Sequence, residues 1–318
     1  MKANLKKGIV FFVAGLMIMQ AFLTGGSKKA SADHSENATL KCFHYLNTDM
    51  KKKDWNVNLP EPFNIPHNWL TALGIKDPVN GGNYQPSYCI GYGKPADTKD
   101  NLSSKEEDTN NMMSQEQAML INYAIMFGYN EQNVDATKMK ANEAEYFATQ
   151  LLVWIIKEGC FYDDVKRTQV EEHFFKAFPI IKSEYEKIYN KLIEQIKVPS
   201  FANEEENIMK WNEKTNRFEL TLVNGNNNAL NNAKVNTSSL PEGVTATLNG
   251  NNLVFTSTNE ITQVFEVEIT KNISEKGRVI VWKNAGENKQ EQVTIDKDLE
   301  AIAQTFVIKL KTEQKPVV

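Results

Sequence analysis

The residue best suited to covalent chemistry is Cys89, in the stretch Ser87-Tyr88-Cys89-Ile90-Gly91-Tyr92-Gly93. Cysteines stand only at 42, 89 and 160, an odd number with no short Cys-x-x-Cys pair. Zinc spacing is therefore absent, and at most two of the three can pair with each other. His34, His44, His67 and His173 are scattered and form no ligand cluster. Neither a metal nor a cofactor is expected. The second unusual residue is Gln150, in Ala148-Thr149-Gln150-Leu151-Leu152-Val153-Trp154. On a helix, positions 146, 147, 150, 153, 154 and 157 share one side, so the glutamine lies among Tyr146, Phe147, Val153 and Trp154. An amide there is costly unless it is bonded. Either it fills a polar gap in the core, or its amide has been consumed.

Cysteine sulfur can attack a glutamine side-chain carbonyl, expel ammonia and leave an internal thioester. Amides are poor electrophiles, so the two groups must be held in contact. Fixed geometry of that kind is equivalent to roughly 10⁵ to 10⁸ M of reactant. Water must also be excluded. Tyr88, Ile90, Tyr92, Phe147 and Trp154 are residue types that build a dry enclosure, and Gly91 and Gly93 allow close backbone approach.

Several elements must position these groups. Lys2, Lys6 and Lys7 precede an apolar run from Gly8 to Leu23, and Ala30-Ser31-Ala32 reads as a cleavage site. Residues 1–32 are thus expected to be an export signal, with the mature chain beginning at Asp33. No second apolar segment suggests a membrane span. A net charge of -4 offers no basic face for nucleic acid. Prolines 60, 62, 66, 78 and 86 rule out a long helix before residue 112, where short strands and loops are expected. Helices follow: one capped by Ser114 and Gln117 and ended by Gly128, one from Asn142 to Gly159, and one from Asp163 divided by Pro179. Past Pro199 the pattern becomes short alternating strands, including a hairpin around Asn249-Gly250. The expected fold is α+β: a mixed β core with a helical subdomain over residues 33–200, then an all-β immunoglobulin-like sandwich over 204–312.

Tyr88-Cys89-Ile90 and Thr149-Gln150-Leu151-Leu152-Val153-Trp154 resemble the two signature motifs of the thioester domains of Gram-positive surface adhesins. The resemblance covers roughly residues 38–200. It departs at Leu152, where the family often has alanine. It implies that Cys89 supplies the thiol and Gln150 the acyl group, with Thr149 and Trp154 as flanks. It further implies a secreted or wall-attached adhesin, not an enzyme, that reacts once. An amine on a host extracellular protein, typically a lysine, would open the thioester and leave a covalent amide.

Other readings stay open beside it. A secreted cysteine enzyme of papain or transglutaminase type would use Cys89 with His173 or His67 as base. A non-covalent binding module would form no thioester. His44 and His67 are candidate bases for the aminolysis by residue type. Cys42 and Cys160 could form a disulfide or remain free buried thiols. In the second domain, Lys210 finds no asparagine in the last strand, and Gln304 with Thr221 finds no histidine, so an uncrosslinked spacer is expected.

Overall fold

The computed structural model describes residues 37–47, 59–65, 69–78, 82–96, 98, 101–105, 108–203, 206–226, 228–271, 273, 275–284 and 289–316. The expected export signal and His67 lie outside these residues. No helix among them is long and apolar enough to cross a membrane.

The chain divides into two compact units. The first contains the described residues up to Ile193 together with Glu275–Ile302. Its strands are β1 (Ala38–Asn47), β2 (Trp69–Lys76), β3 (Tyr84–Cys89) and β4 (Asn101–Ser103), joined by two strands from far along the chain, β11 (Arg278–Asn284) and β12 (Gln292–Asp296). These six close an antiparallel barrel in the order β1-β2-β3-β12-β11-β4. Six helices connect the two groups of strands: α1 (Asp108–Met112), α2 (Gln115–Phe127), α3 (Ala136–Ala141), α4 (Glu143–Lys157), α5 (Asp164–Ala177) and α6 (Lys182–Ile196).

Local signals account for the helix boundaries. Ser114 and Gln117 form the reciprocal capping box. Asp135 and Asp163 cap α3 and α5 by accepting from backbone N–H groups three residues on. Pro179 opens a single 3-10 turn that leads into α6. The α6 stripe is buried at Tyr185, Ile188 and Leu192. Inside α2, Asn122 is fully buried and accepts a 2.8 Å bond from the Val279 N–H, tying the helical layer to β11.

The second unit comprises Glu194–Ser274 and the described part of Ala303–Val318. It holds β5 (Asn207–Asn212), β6 (Arg217–Val223), β7 (Ala233–Val235), β8 (Val244–Asn249), β9 (Asn252–Ser257), β10 (Phe265–Lys271) and β13 (Gln304–Thr312). The seven strands form one hydrogen-bonded sheet in the order β7-β10-β13-β5-β6-β9-β8, with a parallel β5–β13 pair in the middle. Met209, Phe218 and Phe255 from one half share a single core with Val267, Ile269 and Leu310 from the other. The β8–β9 hairpin forms as read, with Gly250 and Asn251 as its two-residue turn.

The domain boundaries expected from sequence need correction. β11 and β12, assigned above to the sandwich, complete the barrel instead, so the first unit is discontinuous. Their burial gives the reason. Val279 to Trp282 and all of β12 are buried on consecutive positions, as strands covered on both faces must be. β10 and β13 alternate buried with partly exposed positions. The seven strands of the second unit are also one continuous sheet rather than two separate ones.

Candidate functional site

Cys89 is the last residue of β3, and it lies where β2 and β3 have parted. The ladder pairs Leu73 with Ser87 and goes no further. Beyond that point α4 takes over the edge with side chains. The Tyr146 hydroxyl accepts from Leu73 N–H at 2.9 Å and donates to the Ser87 carbonyl at 2.5 Å, wedged between the strands. One turn on, the Gln150 amide completes the edge. Its Oε1 accepts from Cys89 N–H at 2.8 Å and its Nε2 donates to the Cys89 carbonyl at 2.9 Å. Gln150 thus imitates a neighbouring strand. The two residues are brought together through the cysteine backbone, not through the sulfur that the sequence reading paired with Gln150.

The sulfur meets a different glutamine. On the other edge of β3, β12 pairs Gln292 directly with Cys89. Gln292 is fully buried, its Nε2 lies 3.2 Å from Cys89 Sγ, and its Oε1 lies 3.7 Å from the same sulfur. The carbonyl carbon between those two atoms is an electrophile beside the sulfur. Cys89 is a free thiol in this structure, 5% exposed. Burial pushes its pKa up to about 12, against a small opposing effect of the Gln292 hydrogen bond.

The motif residues around this centre have definite tasks. Tyr88 stacks on Tyr146 at 4.9 Å between ring centroids and donates its hydroxyl to the Tyr129 carbonyl. Burial raises the pKa of both Tyr88 and Tyr146, so both remain neutral donors. Thr149 Oγ1 donates to Glu145 and accepts from Tyr129 N–H at 3.1 Å, joining α4 to the end of α2. That junction demands glycine at 128, since a Cβ there would lie 2.1 Å from Thr149 Oγ1. Phe147 is fully buried, edge-on to Tyr146. Trp154 meets Tyr92 edge-on at 5.0 Å, and Tyr92 packs on Phe63 at 4.8 Å. Ile90 is buried and donates its N–H to the Glu291 carbonyl. Gly93 has φ +82, and a Cβ on it would lie 2.6 Å from Ile65 Cδ1.

The remaining candidates sit elsewhere. Cys42 and Cys160 are free thiols, each directed at a carbonyl two residues away, so the disulfide considered above is not formed. His44 bonds Glu143 at 2.6 Å on the barrel–helix seam and leans on Phe147. His173 is on α5, where burial lowers its pKa. The sequence reading missed Gln292, and it placed Tyr146 beside Gln150 without foreseeing its role between the strands. A glutamine directly before the strand-forming Val293-Thr294-Ile295 was the available signal for Gln292, but it carries weight only once β12 is known to pair with β3.

Residues 86–198, the segment bearing both motifs, match the family described as the thioester domain. The class read from Tyr88-Cys89-Ile90 and Thr149-Gln150 is therefore borne out for that segment. Two solved structures are similar to the chain. The thioester domain of the Staphylococcus aureus TIE protein is 18% identical with a TM-score of 0.38, over 88% of this chain and 100% of that one. The N-terminal domain of the Streptococcus pyogenes pilus tip adhesin Cpa is 10% identical with a TM-score of 0.36, over 85% of this chain and 98% of that one. No curated protein matches the chain.

Proposed function

We propose that the protein is a secreted or surface-attached adhesin that binds covalently, and that its reactive bond joins Cys89 to Gln292 rather than to Gln150. The observation that carries this reading is the contact of the Gln292 amide with Cys89 Sγ, 3.2 Å from the nitrogen, in a buried site. In the first step the sulfur attacks the Gln292 carbonyl carbon, the carbon–nitrogen bond breaks, and the thiol proton leaves with the nitrogen as ammonia. That nitrogen sits beside the sulfur, so a thiol held protonated by burial can pass its proton without a separate base. In the second step an amine, the lysine of a host extracellular protein, attacks the acyl carbon. An amide forms, the carbon–sulfur bond breaks, and Cys89 regains its proton. Each molecule reacts once, and the amide has no practical off-rate.

The geometry of Gln150 suits a clamp. Both ends of its amide are used on the Cys89 backbone, and releasing them to reach the sulfur would leave a buried N–H and carbonyl unbonded. A cysteine enzyme is disfavoured because such enzymes lower the thiol pKa, whereas burial raises that of Cys89. The test is the intact mass of the purified protein. It should be short by one ammonia, Cys89 should resist alkylation, and methylamine should restore the thiol. Full mass with an alkylatable Cys89 would defeat the reading.

A further inference from the structure

We propose that the Ser87 hydroxyl is the donor to the acyl oxygen of the Cys89–Gln292 thioester, and to the oxyanion formed when an amine attacks it. This rests on the Cys89–Gln292 reading above.

The need for a donor follows from the chemistry. Before crosslinking, Gln292 Oε1 faces the Cys89 thiol and its amide nitrogen faces the same sulfur. Forming the thioester removes the thiol hydrogen and the nitrogen together. The acyl oxygen then sits in a fully buried place with neither neighbour left to donate to it. When an amine adds to the carbon, the carbonyl electron pair moves onto that oxygen, and a bare buried oxyanion is prohibitively costly.

Ser87 has the spare donor. It is fully buried, and its Oγ has no hydrogen-bond partner among the described residues. Such an orphan is rare in a native interior and calls for a reason. Alternation along β3 places Gln85, Ser87 and Cys89 on one face, away from Tyr88, which faces the helices. Gln85 confirms the direction, since its Nε2 reaches Thr294 on β12 at 3.4 Å. Thr294 also takes the Trp282 indole N–H at 2.9 Å, so this interior row is otherwise bonded. With Gln292 opposite Cys89, Ser87 is its diagonal neighbour, about 7–8 Å away by Cα and within reach of a long side chain. In the addition step the amine nitrogen bonds to carbon and Ser87 donates to the oxygen. Collapse then breaks the carbon–sulfur bond, sulfur takes the electron pair, and the amine proton passes to it.

The test compares Ser87→Ala and Ser87→Thr with the parent by three measurements: intact mass, methylamine opening rate, and the infrared carbonyl band of the thioester. Removing an oxyanion donor costs about 10²-fold or more in rate. Ser87→Ala should open about 10²-fold more slowly, with the carbonyl band moved to higher wavenumber. Ser87→Thr, which keeps the hydroxyl, should restore both. If Ser87→Ala fails to form the thioester while Ser87→Thr forms it, the same role is supported at the first step. An unchanged rate and band in Ser87→Ala overturns the inference, as does equal damage in both variants, which would mean Ser87 only fills space. No ammonia loss in the parent protein removes the thioester reading itself, and this inference with it.

Discussion

Cys89 stands between two glutamines, and the two sides of it differ in what they leave free. On the α4 side, Gln150 spends its whole amide on the cysteine's N–H and carbonyl, in a geometry that any strand neighbour could supply. On the β12 side, Gln292 makes no demand on the backbone and lays its amide against the sulfur. A side chain bonded at both ends holds a shape, whereas one aimed at a nucleophile can be consumed by it. On the proposed reading, the motif glutamine is the clamp and Gln292 of β12 is the reactant.

The comparison breaks most sharply at Gln292. Gln292→Ala removes the electrophile, so ammonia loss and covalent capture should disappear entirely while the fold persists, as read by intact mass and circular dichroism. Gln150→Ala should act instead through stability. It leaves one donor and one acceptor unbonded near 1–3 kcal/mol each, a loss of about 2–6 kcal/mol measured by denaturant unfolding. Any thioester that still forms should still involve residue 292.

A smaller effect concerns the thiol itself. Burial penalises the thiolate, so the folded pKa lies above the ordinary value, near 12, and the thiol stays protonated through neutral pH. In Gln292→Ala, Cys89 alkylation by iodoacetamide should therefore be slower than that of Cys42. It should climb about tenfold per pH unit past pH 9, because only the thiolate reacts. A plateau near pH 8 would contradict the burial. Smallest is Ser114→Ala, which opens the α2 capping box and should cost about 1 kcal/mol by thermal melting, leaving the opening rate untouched.

The parts of this arrangement that depend on neighbours in sequence were legible before the structure. The capping box, the Asp163 cap, the α6 stripe and the β8–β9 hairpin are all local devices. Cys89 and Gln150 were legible as a pair because the motif types are unusual and one of them sits on an apolar helix face. Gln292 was hidden by topology, since the second unit intervenes between α6 and β11. Nothing in the run Gln292 to Asp296 announces that it returns to pair with β3 after some two hundred residues. In β11 the unbroken apolar run Val279 to Trp282, buried throughout, does differ in sequence from the alternating strands around it. That run is the signal that would have moved the boundary.

The most direct test is where an amine ends up. After methylamine treatment and trypsin digestion, residues 141–157 and 290–297 fall in separate peptides, and fragmentation separates Gln290 from Gln292. The adduct is predicted on Gln292, with Gln150 unmodified. An adduct on Gln150, or on neither glutamine, would contradict the assignment.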